Sequence, residues 1–112
     1  RALELRSELK AIFAVGAKVD APELGESGPL GIDEVVGASM RYGESYLGAT
    51  ITLSEIRVDL PKKSTSASAT ATAVLAGGPG DPSRRDTRDV RFVLGKINGE
   101  WRILSVFVGA KR

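Results

Sequence analysis

The sequence predicts an α+β domain, a curved antiparallel sheet with helices packed on one face. Two stretches near the N-terminus repeat apolar residues at helical spacing. From Thr50 onward the chain alternates with the period of strands, and Asn98-Gly99 stands between two such alternations. Runs of helix followed by runs of strand bury their apolar faces against each other in two layers.

A length of 112 residues suits one domain, spanning 1–112. Hydrophobic residues make up 42% and charged residues 27%, enough of each for a core and a solvated surface. The chain has no cysteine and no histidine, so thiol nucleophiles, disulfides and imidazole bases are excluded. Proton transfer would fall to Asp, Glu, Lys or Tyr. The carboxylates are scattered, and no metal or cofactor constellation stands out. The net charge of +2 is spread along the chain. The cluster Arg84-Arg85 with Arg88, broken by Asp86 and Asp89, reads as a solvated loop and strand start, not a nucleic-acid patch.

Ala2, Leu5, Leu9, Ile12 and Phe13 form one apolar stripe of a first helix, ended near Gly16. Ala17 to Ala21 alternates as a short strand stopped by Pro22, and a loop follows to Gly31. A second helix begins at Ile32, with Asp33 and Glu34 in the first turn where the helix dipole favours negative charge. Its stripes are Ile32, Val36, Met40, Gly43 and Leu47, and Val35, Ser39, Tyr42 and Tyr46; it ends between Gly43 and Gly48.

Thr50 to Leu60 is a strand whose phase changes midway. Ile51 and Leu53 point one way, Ile56, Val58 and Leu60 the other. Either a bulge lies near Ser54-Glu55, or the two halves bury opposite faces. After the turn at Pro61-Lys62-Lys63, Ser64 to Leu75 alternates alanine with serine and threonine. The small alanines on a core face leave room for a close helix or a ligand. Gly77 to Ser83 is a loop that leads into the last hairpin. There Val90, Phe92 and Leu94 alternate with Asp89, Arg91 and Val93. Asn98-Gly99 supplies the two positive-φ residues of a type I′ turn. Beyond it, Trp101, Ile103 and Phe107 are predicted on one face and Leu104, Val106 and Val108 on the other.

The run from Val90 to Ile103, with its Lys96, Asn98-Gly99 turn and Trp101-Arg102-Ile103, resembles the closing hairpin of the nuclear-transport-factor-2-like superfamily. Ala17 to Ala21 resembles that superfamily's short first strand, and Gly31 to Val36 the Gly-led start of the helix after it. The resemblance implies a cone of helices and curved sheet around a pocket, and a homodimer through the outer sheet face. It also implies a further N-terminal helix upstream of Arg1. A membrane anchor or signal upstream is expected on the same ground, with an extracytoplasmic setting.

Two sets of residues match chemistry found in the superfamily. A ketosteroid-isomerase-like site needs a carboxylate base and a hydroxyl donor, for which Asp20 with Tyr42 or Tyr46 qualify. An epoxide-hydrolase-like site needs an Asp-Arg-Asp set, for which Asp20, Arg91 and Asp89 are the right types. Asp89 and Arg91, however, share the strand face opposite Val90 and Phe92. The expectation is therefore a non-catalytic accessory domain that binds a small apolar ligand or dimerises. The alternatives are a small-molecule isomerase, cyclase or hydrolase using Asp20 with Tyr42 or Tyr46, and a protein-interaction module working through the outer sheet face.

Overall fold

The computed structural model describes residues 2–22, 28–42, 48–78 and 80–112. The element order is α1 (Ala2–Ile12), β1 (Phe13–Asp20), α2 (Ile32–Tyr42), β2 (Thr50–Asp59), β3 (Ser66–Ala76), β4 (Arg85–Ile97) and β5 (Glu100–Lys111). The strands form one open sheet in the order β1-β5-β4-β3-β2. Pairing is antiparallel from β2 through β5, as the hairpin pattern predicts. β1 joins parallel to β5, which makes the sheet mixed.

The helix α1 is shorter than its apolar stripe, because Phe13 already belongs to β1 and pairs with Ile103. Arg102 donates to the carbonyl oxygen of Ala11, one of the helix's unpaired C-terminal acceptors. At the start of α2, Glu34 Oε1 accepts from the Gly31 N–H at 3.1 Å, the reach-back half of a capping box. The two helices are tied by Arg6 and Asp33, whose Nε and Oδ1 lie 3.0 Å apart as an ion pair without hydrogen-bond alignment. Gly43, Tyr46 and Leu47 lie outside the described residues.

The phase problem in β2 has a local solution. Ser54 pairs with Thr72 and Arg57 with Thr70, so β2 carries one extra residue, and Glu55 takes a φ of 50°. This bulge brings Ile51, Leu53, Ile56 and Val58 onto one face, the face of Ala69, Ala73 and Leu75. A second bulge corrects the expectation for the last strand. Val93 pairs with Ser105 but Leu94 with Ile103, which leaves Leu104 as the extra residue. Ile103, Val106 and Val108 therefore share a face with Leu94, Phe92 and Val90, and Phe107 lies on the opposite one with Arg91. Adjacent apolar residues on each side of Ser105, Ile103-Leu104 and Val106 to Val108, hide that shift in the sequence.

The core lies on one face of the sheet. Ala71, Val90 and Val106 are buried there, together with Ala17 of β1, Ala21 just past its end and Val36 of α2. Among the described residues the helices contact β1 and β5. We call this the inner face. On the outer face Thr72 is buried, roofed by Arg112, whose Nη2 donates to its hydroxyl at 3.3 Å.

Candidate functional site

The outer face carries an open groove of about 600 Å³ across β2, β3, β4 and β5. Period-two alternation puts Arg57, Thr70, Thr72, Asp89, Arg91 and Phe107 along it. Two contacts organise its charges. Arg112 Nη2 donates to Asp89 Oδ1 at 2.5 Å. That hydrogen bond, then the charge of Asp89, holds the Arg112 guanidinium above its ordinary range, and Glu55 adds a weaker attraction. Arg91 stands over the Phe107 ring, its Cζ 5.8 Å from the centroid. Apolar surface flanks these charges: Val93 is 40% exposed, Phe107 40% and Leu104 36%. The Leu104 side chain covers Gly95, where a Cβ would meet its Cδ1 at 2.9 Å.

The carboxylate and guanidinium weighed for an Asp-Arg-Asp set are thus in the outer groove, on the side away from the core. Asp20 is half-buried at the end of β1 and pairs in register with Phe107, as Lys18 does with Ser105. It lies on the outer side, whereas Val19, paired with Val106, faces the core. Tyr42 closes α2 without a described side chain, and Tyr46 lies outside the described residues. Among the described residues no group of His, Cys, Asp or Glu could hold a metal ion. No described helix is long and apolar enough to cross a membrane.

The inner face holds an ion pair, Arg88 with Asp86, whose residues the sequence predicts in a solvated loop and strand start. Arg88 grips Asp86 with two bonds, Nε to Oδ1 at 2.8 Å and Nη2 to Oδ2 at 3.1 Å, and Nη1 reaches the Gly109 carbonyl at 3.3 Å. The side chains are only 12% and 21% exposed. The strand begins at Arg85, so the period of two turns both residues inward beside Ala73 and Leu75. That strand start was the only available signal.

A second inner-face feature is the row on β2. Ile51, Leu53, Ile56, Val58 and Leu60 are 47–72% exposed, although they follow the phase of the core. The helices that cover the inner face contact its other side, at β1 and β5.

No family model matches the chain, and no curated protein matches it. Solved structures do. A nuclear transport factor 2-like protein with a cystatin-like fold from Novosphingobium aromaticivorans superposes with a TM-score of 0.73 at 12% identity, over 96% of this chain and 70% of its own. A candidate ketosteroid isomerase from Shewanella frigidimarina gives 0.68 at 20% identity, over 96% of this chain and 84% of its own. The association domain of Caenorhabditis elegans CaMKII gives 0.66 at 12% identity, over 97% of this chain and 87% of its own. These likenesses agree with the element order and sheet topology described above: the chain has the cystatin-like α+β fold of the nuclear-transport-factor-2-like proteins.

Proposed function

We propose that this is a non-catalytic accessory domain that acts by association, forming a homodimer through the outer face of its sheet. The observation that carries the reading is the exposed apolar set Val93, Leu104 and Phe107 on the face opposite the core. Surface of this kind, mixed with arginine and ringed by charge, has the composition of a protein interface. One fold neighbour, the C. elegans domain, is named for association. A small apolar ligand would find its surface on the inner side of β2, along Ile51, Leu53 and Ile56.

The test is the mass of the protein in solution. Wild type is expected to sediment as a dimer at low micromolar concentration, and Phe107→Glu as a folded monomer in that range. A wild-type monomer at high micromolar concentration would overturn the reading.

The second reading is a small-molecule isomerase, cyclase or hydrolase using Asp20 with Tyr42 or Tyr46. It draws on the Shewanella neighbour. The outward register of Asp20 counts in favour of association, because a base in a cone-shaped pocket has to face the core side. Turnover of a ketosteroid or comparable carbon acid that is lost in Asp20→Asn would reverse that preference.

A further inference from the structure

The β2 edge of the sheet carries a pattern that outer-face pairing does not use. Every residue of β2 is exposed, and no described strand lies on its free side. The other edge differs, since Leu30 bridges to Val19 of β1. An open edge presents unpaired N–H and C=O groups to any extended partner. The chemistry that would select the partner follows from the bulge. Beyond Glu55, Ile56 and Val58 follow the inner-face phase, and Leu60 continues it; Arg57, paired with Thr70, and Asp59, paired with Ser68, are on the outer face. Among the described residues neither Arg57 nor Asp59 has an ion-pair partner.

We infer that residues 56–60 pair antiparallel with the same segment of a second copy, about a two-fold axis through Val58. In this register Arg57 of each copy faces Asp59 of the other, which gives two opposite-charge cross-strand pairs. Val58 faces Val58, and Ile56 faces Leu60, so the apolar row continues across the junction on the inner side. The two sheets become one, with both outer faces on the same side. Neighbouring registers are worse. An axis at Arg57 sets the two arginines against each other, and an axis at Ile56 brings the bulged Glu55, with its φ of 50°, into the ladder opposite Arg57. The segment is bounded by that bulge and by Pro61, which has no N–H to donate. The order acidic, basic, acidic at 55, 57 and 59 is therefore complementary to itself only when offset. That is the argument for a second copy of this chain as the partner rather than an unrelated strand.

This contact is separate from the outer-face dimer, and the two are isologous. If both form, they generate a closed tetramer or an open chain. The test uses Phe107→Glu as the parent, so that edge pairing is read alone. The parent, a monomer at low micromolar concentration, is expected to dimerise through this edge as its concentration rises into the high micromolar range. Adding Arg57→Glu or Asp59→Lys turns both opposite-charge pairs into like-charge pairs and should weaken the dimer about tenfold or more. Mixing the two variants, one isotopically heavy, should restore a heterodimer in native mass spectrometry. The two introduced charges then face each other with opposite sign, and the unchanged Asp59 of one variant faces the unchanged Arg57 of the other. Circular dichroism checks that each variant is folded. A monomeric parent at high micromolar concentration, or a mixture that gains no heterodimer, overturns the proposal. Failure of the outer-face dimer would show instead as an unchanged mass on going from wild type to Phe107→Glu.

Discussion

Arg88 and Asp86 offer the sharpest test of how the inner face is built. Their side chains are 12% and 21% exposed, and they meet through two parallel bonds of 2.8 and 3.1 Å. Truncating Arg88 takes both charge-assisted bonds from the Asp86 carboxylate in a poorly solvated site. A fully buried pair loses about 3–5 kcal/mol this way, and the water still reaching Asp86 reduces the expected cost of Arg88→Met to about 2–3 kcal/mol. Asp86→Leu should cost a similar amount, because it removes the two charge-assisted bonds that the guanidinium makes to the carboxylate. The double variant removes both charges and places Leu beside Leu75, its register neighbour. It should return to within about 1 kcal/mol of wild type, for a coupling of about 3–6 kcal/mol. Urea unfolding followed by Trp101, the single tryptophan, reads all four proteins at one fixed concentration, since association shifts apparent stability. With a slope near 1–2 kcal/mol per molar urea, each single change lowers the midpoint by about 1–3 M. Additive single costs in the double variant would refute the reasoning, for they would mean that the two side chains do not stabilise each other.

Other expectations follow from the backbone and from charge. Glu55→Gly should raise stability by about 0.5–1 kcal/mol in thermal unfolding, because glycine takes a φ of 50° without the steric cost that Glu pays. Gly99→Ala should lower it by about 1 kcal/mol, since φ there is 81° and the clash is with the residue's own backbone. Asn98→Gly should be nearly silent in the same assay. Arg112 has a raised pKa, so its contribution is complete below the ordinary guanidinium value and disappears only as pH climbs through the higher folded value. The stability difference between wild type and Arg112→Gln should therefore stay flat from neutral to mildly alkaline pH, and a slope there would contradict the Asp89 pairing.

Much of the fold was legible because its signals are local. Asn98 and Gly99 take φ values of 51° and 81°, the turn that their identities predict. The alanines of β3 do share the core face, with Ala71 buried opposite Val90. In β2 the broken alternation announced a bulge without choosing it over a two-faced strand, and the positive φ of Glu55 makes the choice. Leu104 left no such trace, because apolar residues stand on both sides of its bulge. The parallel joining of β1 to β5 is a pairing between distant parts of the chain, and no neighbouring residue encodes it. Asp86 and Arg88 were misread for a related reason: their composition resembles a solvated loop, and only the position where β4 starts turns them inward. On the outer face, Asp89 and Arg91 fell where alternation puts them, whereas Arg112 closing over Thr72 depends on the fold bringing the end of the chain back across β3.

The account depends most on the outer face being a surface for association. Sedimentation velocity of wild type and Phe107→Glu, measured over a range of low micromolar concentrations, tests this most directly. The expected result is a wild-type dimer that the charged substitution dissociates while circular dichroism stays native. A wild-type protein that remains monomeric throughout the range, or a Phe107→Glu variant of unchanged mass, would contradict it.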